Sequence, residues 1–127
     1  MKITVQLLLR ITVAILLVQT LRFKFTAHPE SVYIFSKIGM EPYGRVGIGI
    51  FELIAAILLL VPKTVWAGAL LTLGIISGAL LMHITILGIE VNEDGGLLFY
   101  MALLIFVLSL AILWMNRKNL PFIGKKL

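Results

Sequence analysis

Four apolar runs, each about as long as a membrane-crossing helix, decide most of what this chain can fold into. They span about Ile3–Leu21, Gly44–Val61, Val65–Leu87 and Leu97–Met115. The hydrocarbon core of a bilayer is roughly 30 Å thick, and about 20 residues of helix cross it. A helix suits that medium because it satisfies its own backbone donors and acceptors where no water can. Only Pro62-Lys63-Thr64 separates the second run from the third, and GIEVNEDGG separates the third from the fourth. Such short connections make successive helices antiparallel neighbours. The expectation is an all-α, polytopic membrane four-helix bundle, with residues 1–127 forming one transmembrane domain.

Composition agrees. Hydrophobic residues make up 61% of the chain and charged residues 13%, against about 25% charged in soluble domains. The net charge of +5 does not read as a nucleic-acid footprint, because the basic residues form no stripe with interleaved aromatics. Arg117, Lys118, Lys125 and Lys126 crowd into the tail NRKNLPFIGKKL, which reads as a cytoplasmic flank beside anionic lipid. The absence of cysteine excludes disulfides, thiol relays and thiolate metal sites. Arg10 interrupts the first run and no A-x-A-like cleavage site follows, so that run reads as a retained helix.

Charge also predicts direction. With both termini inside, Lys2, Lys63 and the four basic residues of the tail flank the inner face. The outer flanks hold Arg22, Lys24 and Lys37, with Arg45 at the margin, so the bias favours N-in, C-in. Trp66 and Trp114 then fall at the inner interface. In the first outer loop, AHPESVYIFSKIGMEPYG, Pro29 suits a first helical turn, Lys37 a last turn and Gly39 a stop. A short interfacial helix of about Pro29–Ile38 follows, with Val32, Tyr33, Phe35 and Ile38 as its apolar contacts. It is either a connector lying on lipid or a lid over a pocket.

Ionisable groups inside a span are expensive, about 2.5–3.5 kcal/mol on insertion scales, and so require a partner. Arg10, Glu52 and His83 stand inside the spans, and Arg45 stands at the outer mouth of the second. Arg45, Gly49, Glu52 and Ala56 share one helical face, while Gln6 lies one turn from Arg10. At about 1.5 Å rise per residue, Arg10 and Glu52 differ in depth by roughly 6–8 Å, a gap two long side chains can close. The expected site is therefore a cluster of Arg10, Arg45, Glu52 and His83 opening outward, its pocket lined by Gln6, Gly49 and Ala56. It either holds a ligand or proton, or sets helix register alone. Gly74 and Gly78 read as a close-packing pair. The VNEDGG loop matches no cation-binding spacing and reads as a turn into a helix. Metal and haem are not expected; His28 and His83 are the sole imidazoles.

As a set, the blocks LRFKFTAHPESVYIFSKIGMEPYGRVGIGIFELIAAILLLVP, GALLTLGIISGALLMHITILGI and NEDGGLLF resemble the DoxX family of small integral membrane proteins. The resemblance implies a four-helix protein of the bacterial cytoplasmic (inner) membrane. It also implies association with redox or oxidative-stress assemblies, the family taking its name from a subunit of an archaeal thiosulfate:quinone oxidoreductase. The polar set that goes with the resemblance is Lys24, Glu30, Arg45, Glu52, His83 and Asp94 within these blocks, with Arg10 ahead of them. No settled catalytic motif carries over, and no stand-alone enzyme activity is visible. The expected function is an accessory, quinone- or small-molecule-interacting component of a membrane redox system. The alternatives are a small-molecule binder or transporter, or a structural assembly protein. The bilayer is the expected environment, redox subunits and a second copy of the chain are candidate partners, and nucleic acid is not.

Overall fold

The computed structural model describes residues 2–26, 29–41, 43–89 and 95–120. Its helices are α1 (Lys2–Phe25), α2 (Pro29–Lys37), α3 (Tyr43–Leu60), α4 (Val65–Met82) and α5 (Leu97–Met115). A 3-10 turn over Pro62–Thr64 joins α3 to α4, and a π-helical turn over His83–Leu87 extends α4. The stretches long and apolar enough to cross a membrane are Thr4–Arg22, Tyr43–Leu60, Pro62–Leu87 and Leu97–Met115. The chain is an all-α four-helix bundle with the architecture of a multi-pass membrane protein. His28 and the loop acids Glu90, Glu93 and Asp94 lie outside the described residues.

α1 packs on α3, α3 on α4 and α4 on α5, while α5 meets α1 along the thinnest seam of the ring. The helices alternate in direction. One end of the bundle, the terminal end, carries the start of α1, the Pro62–Thr64 turn and the end of α5. The other, the α2 end, carries α2 and the start of α5. Val13, Leu17, Leu59, Val65 and Ile112 are fully buried and fill the interior toward the terminal end. Large apolar side chains such as Leu8, Ile15, Ile57, Ile84 and Val107 stand exposed around the outside, which is the surface a helix bundle presents to lipid. Thr12 and Thr85, also on that surface, bond their hydroxyls back to the carbonyls of Leu8 and Leu81, at 2.7 Å each. Neither hydroxyl is left unpaired in lipid.

α2 ends where Gly39 takes φ +76°. Its N–H donates to the Ser36 carbonyl at 3.1 Å and the Met40 N–H to the Phe35 carbonyl at 2.8 Å. Those paired bonds form the Schellman stop that glycine permits. Ser31 and Phe35 are buried and Tyr33 is exposed. Ser31, Ile34, Phe35 and Ile38, at helical spacing, face the bundle interior and line a cavity there. Of the two readings of this segment, the lid matches that geometry.

The close approach between helices falls at a glycine other than the expected pair. A Cβ on Gly68 would lie 2.7 Å from the Leu59 nitrogen and 3.0 Å from the Ala55 carbonyl oxygen. That is backbone against backbone, so α3 and α4 would have to separate. Gly74 and Gly78 have no atom within 4 Å of such a Cβ, and both line the cavity instead. Gly68→Ala is therefore expected to destabilise the bundle by about 1–3 kcal/mol, measured by denaturant titration in bicelles. Gly78→Ala should leave stability within about 0.5 kcal/mol. Equal effects from the two variants would contradict this packing.

Candidate functional site: a buried ion pair at a cavity wall

Glu52 is 4% exposed and projects from α3 toward α1. Its partner is Lys24, whose ammonium stands 2.7 Å from Oε1. The contact is one of charge without hydrogen-bond geometry, so Oε1 has no hydrogen bond among the described residues. Thr20, one turn before Lys24 on α1, links the two. The Lys24 ammonium donates to its Oγ1 at 3.2 Å, and that hydroxyl lies 3.2 Å from Glu52 Oε2. The Thr20 hydroxyl is also 2.8 Å from the Leu17 carbonyl. It has one proton, which serves either the helix backbone or the carboxylate at a given moment.

The expected contact between Arg10 and Glu52 does not form. The Arg10 guanidinium donates from Nε to the Leu59 carbonyl at 2.6 Å and from Nη2 to the Leu60 carbonyl at 3.0 Å. The reason lies in helix ends, whose last four carbonyls lack intrahelical donors. At the end of α3, Val61 N–H serves Ile57 at 3.3 Å, the Thr64 hydroxyl serves Leu58 at 2.9 Å, and Arg10 serves the remaining two. A positive charge there also meets the negative end of the helix dipole.

Arg45 does the reciprocal work at the opposite end of the same helix pair. Its Nη1 donates to the Lys24 carbonyl near the end of α1. Its Nε reaches both Glu41 carboxylate oxygens, at 2.9 and 3.0 Å. Each helix of the α1–α3 pair thus contributes an arginine that caps the other. Neither guanidinium borders the cavity, so both leave the expected cluster. The proposed pocket-lining residues leave it too. Gly49 lies under the Phe25 ring, 2.8 Å from where its Cβ would stand. Ala56 is sealed in the packed core, and Gln6 is half-buried farther along α1 toward the terminal end.

Glu52 and His83 remain, joined by Thr20 and Lys24. All four line a cavity of about 570 Å³ at the α2 end, within the size range of small-molecule sites. Apart from these, Gln19 and Ser31, the described residues of its wall are apolar or glycine. His83 is buried, edge-on to Phe99 with ring centroids 5.7 Å apart. Its Nδ1 lies 2.9 Å from the Gly88 carbonyl. A carbonyl only accepts, so Nδ1 carries the proton and a neutral ring keeps its lone pair on Nε2. The residue sits at the first position of the π-helical turn, a distortion frequent at functional positions. Among the described residues, no group of three or more His, Cys, Asp or Glu side chains is placed to hold a metal ion.

Lys24 and Thr20 were the residues that spacing arguments passed over. Lys24 counts in the sequence as an outer-flank charge, yet its long stem folds back one turn along α1. The signal was there in Thr20 and Lys24 at i and i+4, on the α1 face that meets Glu52. Comparison of the chain with family models, with curated proteins and with solved structures finds no match in any of the three.

Proposed function

We propose that this chain is a membrane-embedded binding protein for a lipophilic small molecule with a polar head, and that the head docks at Glu52, Lys24 and Thr20. One observation carries the reading. The buried ion pair stands at the wall of a cavity of about 570 Å³, whereas a pair that serves only packing needs no room beside it. Arg10 and Arg45, tied to helix-end carbonyls, take the structural role.

A quinone fits the chemistry of these walls. Its ring packs on apolar side chains, and a carbonyl oxygen accepts a hydrogen bond from the Lys24 ammonium, which has three donors. With Nδ1–H committed to Gly88, His83 has Nε2 to accept from a ligand hydroxyl. The DoxX-like blocks support a setting beside a membrane redox system in the bacterial cytoplasmic membrane. With no cysteine in the chain, its redox role uses the chemistry of a bound molecule or of a partner subunit.

The test is retention of decylubiquinone by the purified protein in nanodiscs. Glu52→Gln and His83→Ala are each expected to lower affinity about tenfold or more, equivalent to at least 1.4 kcal/mol, with helix content unchanged by circular dichroism. If both variants fold and retain the quinone as the parent does, the site reading is wrong.

A further inference from the structure

The thinnest seam of the ring, between α1 and α5, crosses the cavity wall. Gln19 of α1 and Met101 of α5 both line the cavity, and the Gln19 amide lies 3.9 Å from the Met101 sulfur. That contact is a weak closure, since a thioether is a poor acceptor. Gln19 is moreover exposed, an amide on the lipid-facing side of a span, where a polar group needs a reason to be. A second observation comes from outside the bundle. An apolar groove of about 350 Å³ runs over the outer flank of α1 past Ile11, Ala14, Ile15 and Val18, bordered by Leu60 of α3, and Gln19 lies at its end nearest α2. Among the described residues, Gln19 alone borders both the groove and the cavity.

From this shared border we infer that the α1–α5 seam is a lateral entrance from the bilayer, latched by Gln19 and Met101. Its ligand is an amphiphile whose head passes Gln19 to reach Glu52 while its hydrocarbon tail stays in the groove along α1. The inference rests on the binding reading above and adds the route and the tail. A ligand already dissolved in lipid then needs no path through the water or beneath α2. Parting two side-chain tips is a small motion compared with opening either of the tightly packed α1–α3 or α3–α4 interfaces.

The chain has no native cysteine, so Gln19→Cys and Met101→Cys can be labelled alone. The native contact joins the tips of two long side chains. A short reducible bis-methanethiosulfonate therefore suits the pair better than a direct disulfide, which needs a closer backbone approach. The probe is decylubiquinone dissolved in the nanodisc lipid. Uptake by the double variant is expected to slow at least about tenfold on cross-linking, a barrier increase of about 1.4 kcal/mol, and to recover on reduction. A tailless benzoquinone should bind the reduced variant more weakly than the decyl form, and Val18→Asp in the groove should erase that difference. Should the double variant fail to fold, Gln19→Trp, which sets an indole over the seam, is expected to slow uptake in the same way. Unchanged uptake in a fully cross-linked chain overturns the route alone. No uptake by the parent chain overturns the binding reading, and the route with it.

Discussion

Lys24→Ala is expected to destabilise the protein by about 3 kcal/mol, because it leaves the Glu52 carboxylate buried without its counter-charge. The two residues of the pair are not equivalent. The Lys24 side chain is 16% exposed and that of Glu52 5%, so the lysine can swing its ammonium toward the α2 end when the carboxylate is removed. Glu52, held in mid-helix, has no such escape. Glu52→Gln should therefore lower stability by less than about 1 kcal/mol, and in the Lys24→Ala background it should restore most of the loss. Unfolding of the four chains in bicelles completes a double-mutant cycle. A coupling below about 0.5 kcal/mol would show that the pair has no part in holding α1 to α3.

Arg10→Met should have an effect of similar size by a different mechanism. Methionine keeps much of the apolar stem but withdraws both donors from the Leu59 and Leu60 carbonyls. A buried acceptor left without a partner costs about 1–3 kcal/mol; the Leu59 carbonyl bears that cost in full and the part-buried Leu60 carbonyl a smaller share, so a total loss of about 2–4 kcal/mol is expected. Arg10→Lys should recover part of it, since an ammonium still donates but lacks the fork that reaches two carbonyls at once. The cycle pairing Arg10→Met with Glu52→Gln should be additive within about 0.5 kcal/mol. Strong coupling there would mean that the guanidinium works on the carboxylate and not on the end of α3. Quinone retention offers a separate check, because Arg10 stands outside the cavity wall and its folded variants should bind as the parent does.

Much of this architecture is legible in the residues. The apolar runs became α1, α3, α4 with its π-helical turn, and α5, because span length and short connections leave few other arrangements. Gly39 was readable as the end of α2, since a left-handed stop there requires no side chain to be accommodated. Glu52 was readable as inward-facing on energetic grounds. Its partner was not, because depth and helical face do not say which side chain of a neighbouring helix lies opposite. Arg10 and Glu52 lie close enough in depth to meet, yet the guanidinium finds unpaired carbonyls at the end of α3 first. The antiparallel register that puts Arg10 beside Leu59 also puts Thr20 beside Glu52, and Lys24 reaches back to both. Gly74 and Gly78 misled for a related reason. Their spacing matches a packing motif, but spacing does not say whether a helix or a void lies opposite.

By itself, the sequence determined that the chain is four membrane-length helices with one costly carboxylate turned inward. Those are consequences of hydrophobicity and helical period, which act locally along the chain. Only the tertiary structure decided which groups meet that carboxylate and where the interior is hollow. It also decided that each arginine ends up capping the other's helix. Those outcomes depend on the register and separation of neighbouring helices, set by contacts such as Gly68 against the backbone of α3, which no single helix encodes alone.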